Sequence, residues 1–189
     1  MNVYDFDGTI YDGESCLDLF FWFVKKDKSL IKHIPKVLFG FAKYKMGKVT
    51  IEGALEEYAP YVENYFRVYP EKFTDMSEFW DKHIGKIKPF YKEIQKEDDL
   101  ILTASPEMSM KEICARLGVN KYIGTVIEPE TGKITRFNLK TNKVKSFFAN
   151  YPDETVDAFY TDSPKNDYPI IEIAKEAYVV KGNKITKIK

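Results

Sequence analysis

Two cysteines and two histidines are all that 189 residues contain, and 29 basic residues cancel 29 acidic ones. Cys16 and Cys114 stand far apart and form no CxxC pair, so they predict reduced, buried small hydrophobes rather than a disulfide framework or a zinc site. His33 and His83 belong to no metal-spaced cluster and read as surface or packing residues. The charge balance gives no reason to expect nucleic acid as a partner. The apolar run Leu19 to Val24 falls far short of the roughly 20 residues that a membrane-spanning helix needs. Met1-Asn2-Val3-Tyr4 leads straight into acidic residues with no signal-peptide pattern, and a soluble cytoplasmic protein is the expectation.

What is present is an ordinary globular composition, 44% hydrophobic and 31% charged. Three short apolar runs end in polar residues: Asn2 to Phe6 with Asp5-Phe6-Asp7-Gly8-Thr9, Leu100 to Thr103 before Ala104-Ser105-Pro106, and Val156 to Tyr160 before Thr161-Asp162-Ser163-Pro164. Ala177 to Val180 is a fourth run, and Lys184 to Ile188 an edge strand after a Gly-Asn turn. Helical patterns over Pro106 to Leu117, Lys143 to Asn150 and Pro169 to Glu176 alternate with these strands. The alternation predicts an α/β fold with a parallel, doubly wound sheet, in which ligands bind beyond the carboxyl ends of the strands. Asp5, Thr103 and Asp162 are thereby expected to converge. Helical patterns over Cys16 to Lys26, Leu30 to Lys45, Ile51 to Phe66 and Asp75 to His83 break the alternation. They predict a helical cap, residues 13–87, inserted into a core formed by 1–12 and 88–189. Glu128 to Lys133 reads as the turn of a small hairpin between Ile123 and Phe137.

Two carboxylates two residues apart on an extended strand share one face, and the chain is expected to curl after Asp5 to bring both to the strand end. Gly8 permits the curl and a close approach to an anion. The run Asp5-Phe6-Asp7-Gly8-Thr9 resembles motif I of the haloacid dehalogenase superfamily. Thr103 ending a strand, Lys143 opening a helix, and Asp162 with Asp167 after another strand are similar to its remaining motifs, in the same order. The resemblance implies a Rossmann-like core and a phosphomonoester hydrolase acting on a small soluble phosphorylated metabolite. It implies Asp5 as nucleophile and Asp7 as general acid and base. Thr103 and Lys143 would hold the phosphoryl group, together with the backbone of Phe6, Gly8 and Ala104. Mg2+ would be held by Asp5, the Asp7 carbonyl and Asp162, with Asp167 as a further or outer ligand. Lys140 and Lys145 compete with Lys143, and Ser105 with Thr103; Ser105 before Pro106 also reads as a helix N-cap.

The helical insert, Thr103-Ala104-Ser105-Pro106-Glu107 and Gly47-Lys48-x-x-x-Glu52 resemble the phosphoserine-phosphatase-like subgroup. That likeness makes Glu14 a substrate contact, but it puts Tyr58 where the subgroup has an arginine for the substrate carboxylate. Between Lys25 and Lys48 stand eight lysines and one acidic residue. Leu30, Ile34, Val37, Leu38 and Phe41 recur at helical spacing and are expected to pack inward while the lysines are solvated. An anionic membrane surface, with a lipid-phosphate substrate, is the less favoured reading. A phospho-acceptor signalling module is the rival from another class, although its acidic pair precedes the acceptor aspartate.

Overall fold

The computed structural model describes residues 1–68 and 75–189. Among them β1 (Asn2–Tyr4) lies at the middle of a seven-stranded sheet of order β4-β3-β2-β1-β5-β6-β7. The strands β3 (Lys121–Ile127), β2 (Leu100–Pro106), β1, β5 (Ala158–Thr161) and β6 (Glu176–Lys181) are parallel. The short β4 (Ile134–Arg136) and β7 (Lys184–Lys187) close the two edges antiparallel. Neighbouring residues on β1 and β2 face opposite ways, and two apolar clusters result. Tyr4 and Ile101 face α1 (Ser15–Lys26), α4 (Ser77–His83), α5 (Pro89–Ile94) and α6 (Glu107–Leu117). Val3, Leu100 and Leu102 face α7 (Thr141–Asn150) and α8 (Tyr168–Ile173). The sheet is thus covered on both sides, as its five parallel strands require.

The first cluster also carries Trp22 and Phe23 of α1 and Phe79 and Trp80 of α4, packed with Phe6, Tyr11 and Met110. It therefore runs across the boundaries expected at residues 12 and 88. Trp80 is fully buried, stands edge-on to Phe6 and Tyr11, and donates its indole N–H to the Ser109 carbonyl at 2.8 Å. The helix expected over Leu30 to Lys45 is two pieces, a 3-10 turn at Lys28–His33 and α2 (Ile34–Lys45). Pro35 explains the break, since it lacks an N–H and is tolerated only in a first turn. α3 (Ile51–Val68) follows, and it carries Tyr58, whose side chain lies outside the described residues.

Other expectations are corrected in detail. β2 continues through Ala104 and Ser105 to Pro106, so Ser105 is a strand residue and does not cap α6. α8 ends at Ile173, because Glu176 already pairs with Ala158 of β5. Leu30 is buried and Ile34, Val37 and Phe41 are half-buried, as the inward pattern predicts, but Leu38 is exposed. Cys114 is buried, whereas Cys16 is exposed.

Candidate active site

The chain leaves β1 and curls at once. The Phe6 carbonyl accepts N–H groups from Thr9, Ile10 and Tyr11 at 3.2, 2.9 and 2.9 Å, which turns Asp7 back over the strand end. Gly8 adopts a left-handed φ of 71°, and a Cβ there would lie 2.2 Å from Asp162 Oδ2. Only glycine lets these two loops meet. Thr9 fixes the contact, its Oγ1 accepting the Asp162 N–H at 2.8 Å. The Gly8 N–H, expected to face the phosphate, is bonded to the Gly13 carbonyl at 2.8 Å. Among the described residues the N–H groups of Phe6 and Asp7 have no acceptor.

Lys143 in the first turn of α7 is buried and donates to Asp5 Oδ1 at 2.8 Å and Asp167 Oδ1 at 2.7 Å. Lys145 is exposed, and Lys140 bonds the Val49 carbonyl at 2.5 Å. Asp5 keeps its other carboxylate oxygen free of protein donors among the described residues. Asp167 does not: Thr161 Oγ1 donates to its Oδ2 at 2.7 Å, so both oxygens are engaged inside the protein. Burial works against charge on Lys143, but Asp167 and Asp5 overcome it and hold the ammonium above the ordinary lysine range. Burial likewise raises Asp5 well above the usual carboxylate range, with Lys143 pulling it back.

Asp7 is held by different partners. Ser105 Oγ donates to its Oδ2 at 2.5 Å and the Ser15 N–H donates to its Oδ1 at 2.5 Å. Burial raises its pKa, and the bonds from Ser105 and Ser15 oppose that rise. Ser105 Oγ also meets Ser15 Oγ at 3.2 Å and Cys16 Sγ at 3.1 Å. Thr103 Oγ1 accepts the Ser105 N–H at 3.0 Å, which leaves its own hydrogen available. The Ala104 carbonyl is taken by Thr125 Oγ1 at 2.6 Å.

The end of α2 reaches these loops. Lys45 Nζ pairs with Glu14 and lies 3.2 Å from Asp162 Oδ2. Burial, then the nearby Asp7, push the Glu14 carboxyl up to about 7, although Lys45 pulls the other way. The Tyr44 hydroxyl is raised by burial and by the carboxylates of Asp5, Asp167, Glu14 and Asp7. Asn166 and Lys165 donate to the Tyr44 and Met46 carbonyls at 3.3 and 3.1 Å. Lys88, buried where the chain returns from the helices, donates to the Gly8 carbonyl, and burial lowers its pKa. Ser15, Tyr44, Lys45, Lys88 and Thr161 carried no motif in the sequence. Ser105 did carry a signal, but a Ser-Pro pair points equally well to a helix cap.

Among the described residues no three His, Cys, Asp or Glu side chains form a metal cage by themselves. Magnesium does not ask for one: it binds through one or two carboxylates and keeps several waters. The all-oxygen set of Asp5, Asp162 and the Asp7 carbonyl fits that habit, and an ammonium already sits against Asp162, where a cation is electrostatically at home.

A parallel sheet with two aspartates at the end of its central strand, faced by a threonine, a buried lysine and a further acidic pair, defines a hydrolase-like site. The family model for haloacid dehalogenase-like hydrolases matches residues 3–172, and the chain belongs to that family. Solved structures share the fold at low identity. A Bordetella pertussis protein with unknown function is 17% identical over 94% of this chain and 87% of its own, with a TM-score of 0.69. A phosphoserine phosphohydrolase-like protein from Francisella tularensis is 15% identical over 94% and 86%, with a TM-score of 0.64. Phosphoserine phosphatase from T. onnurineus is 17% identical over 94% and 81%, with a TM-score of 0.53. No curated protein sequence matches the chain.

Proposed function

We propose that this chain is a magnesium-dependent phosphomonoester hydrolase that works through an aspartyl-phosphate on Asp5, under a cap formed by residues 13–87. The free oxygen of Asp5 attacks phosphorus, and the ester P–O bond breaks with its electron pair passing to the departing alkoxide. Asp7 supplies the proton that makes this an alcohol. Asp7 then takes a proton from water as the water oxygen attacks the phosphoenzyme, releasing phosphate and restoring Asp5. Lys143 and the Thr103 hydroxyl oppose the negative charge on the phosphoryl oxygens, and the Phe6 and Asp7 N–H groups are free to do the same. Asp167 and Thr161 position Lys143. Asp5, Asp162 and the Asp7 carbonyl would hold magnesium, which would shield the phosphoryl charge from the carboxylates around it. Beyond the ester oxygen the substrate meets Glu14, Tyr44 and Lys45, surroundings suited to a small polar alcohol.

The observation that carries this reading is the split environment of the two aspartates. Burial raises both carboxyls, but Asp5 is paired with the buried Lys143 ammonium, while Asp7 is held only by neutral donors, the Ser105 hydroxyl and the Ser15 N–H. Asp7→Asn tests it. With an aryl phosphate, whose leaving group needs no proton, the first step should survive and a chain one phosphate heavier should accumulate in the mass spectrum. With an alkyl phosphate, turnover should drop by ~10²–10⁴. Wild-type rates on both esters, or full activity in excess chelator, would remove the assignment.

A further inference from the structure

α2 has a second apolar face that stays exposed among the described residues. Pro35, Leu38, Phe39, Ala42 and Met46 are exposed and recur at helical spacing along one side, opposite Ile34, Val37 and Phe41. Phe39 is 59% exposed, Met46 47% and Leu38 44%, and Ile31 in the preceding turn is 49% exposed. Tyr61 of α3 adds another exposed ring. Soluble surfaces scatter such residues singly, whereas a contiguous apolar row marks an interaction site. Its amino-terminal end is rich in lysine. Lys25, Lys28 and Lys32 are exposed at its amino-terminal end and form no ion pair among the described residues. Lys43 lies over the Phe39 ring at 4.7 Å, though it also pairs with Glu57 at 3.5 Å, and Lys36 lies over Tyr61 at 3.9 Å. Apolar side chains framed by lysines match an anionic bilayer, where the former enter the acyl boundary and the latter meet phosphate headgroups. No helix among the described residues is long and apolar enough to cross a membrane, so the face would lie on the bilayer rather than span it.

We propose that the exposed face of α2 docks on an anionic membrane surface. The row ends at Met46, next to the Lys45 that reaches Glu14 and Asp162, so docking would bring lipid headgroups to the edge of the site. That consequence for substrate supply rests on the phosphatase reading; the docking itself does not.

The test is sedimentation of the full chain with vesicles, at about 0.15 M salt, where only contacts within about 8 Å escape screening. The chain should pellet with vesicles of mixed phosphatidylcholine and phosphatidylglycerol and stay in solution with phosphatidylcholine alone. Lys28→Gln with Lys32→Gln should weaken binding about fivefold per lysine. Phe39→Ser should weaken it roughly tenfold. Both variants should keep the wild-type thermal midpoint, since none of these side chains is buried. A wild-type chain that ignores anionic vesicles, binds neutral ones equally, or binds unchanged in both variants would overturn the proposal. So would a lipid-free dimer that Phe39→Ser dissolves, because a second copy would then own the face. None of these readings uses activity, so loss of the phosphatase assignment would leave them intact.

Discussion

Ser105 is where the proton chemistry of the site is adjustable. Its hydroxyl bonds the Asp7 carboxylate at 2.5 Å and draws the Asp7 pKa down against the rise that burial imposes. The raised pKa keeps Asp7 protonated at pH values where an exposed aspartate is ionised. As pH climbs through it the acid form is lost, so turnover of an alkyl phosphate should fall on the alkaline side. Removing the hydroxyl withdraws a bond that favours the ionised form, so Ser105→Ala should move this limb to higher pH. A hydrogen bond to a charged group is worth about 1.5–3 kcal/mol, so breakdown of the phosphoenzyme should also slow by roughly tenfold to a hundredfold. Rate profiles for alkyl and aryl phosphates check both points, and an unmoved limb would show that Ser105 does not act on Asp7. Asp5, Asp7, Thr103, Lys143 and Asp162 were legible as a set because apolar runs and a helix start mark them in a recognisable order. Ser105 was misread because Ser-Pro suits a cap as well as a strand that runs on. Lys45 was not legible at all, since nothing separates it in sequence from the solvated lysines nearby.

Among the elements, α4 links the helical segment to the sheet. Trp80 stands edge-on to Phe6 and Tyr11, which stack on each other from either side of the curl that positions Asp7, and its indole N–H is satisfied by Ser109. Trp80→Ala should cost about 3–5 kcal/mol, the usual range for emptying a fully buried indole site. Urea denaturation should show this as a lower midpoint with an unchanged slope; a loss below 1 kcal/mol would mean that the curl is held by its own hydrogen bonds. Strand existence and order were readable, because short apolar runs with turn residues are strong local signals. Their ends were not. β2 overran its prediction and α8 fell short, and in both cases pairing with a neighbouring strand decided the boundary, which no local pattern records.

For the whole molecule, magnesium should be a ligand of the folded state alone, since Asp5 and Asp162 meet only when β1 and β5 are paired. A ligand confined to the native state stabilises it by mass action, about 2.7 kcal/mol at a hundredfold excess over Kd. The thermal midpoint should rise with magnesium, fall in chelator, and lose that response in Asp162→Asn. An unchanged midpoint across the titration would remove the metal from this site. The parallel order of strands was legible from their alternation with helices. The closed contact between α2 and the loop after β5 was not, because it depends on backbone carbonyls at Tyr44 and Met46 that carry no sequence mark.

The 2.2 Å between an imagined Cβ at Gly8 and the Asp162 carboxylate has a consequence for how this chain can vary. At most positions a larger residue does more harm than a smaller one, and a lineage can drift through intermediates. Here even a first carbon meets the Asp162 carboxylate, on a backbone whose positive φ already disfavours a side chain. Position 8 therefore cannot be explored in steps. A side chain there needs both Asp162, from the far end of the sequence, and the left-handed turn itself to give way, which ties the fate of the two loops together.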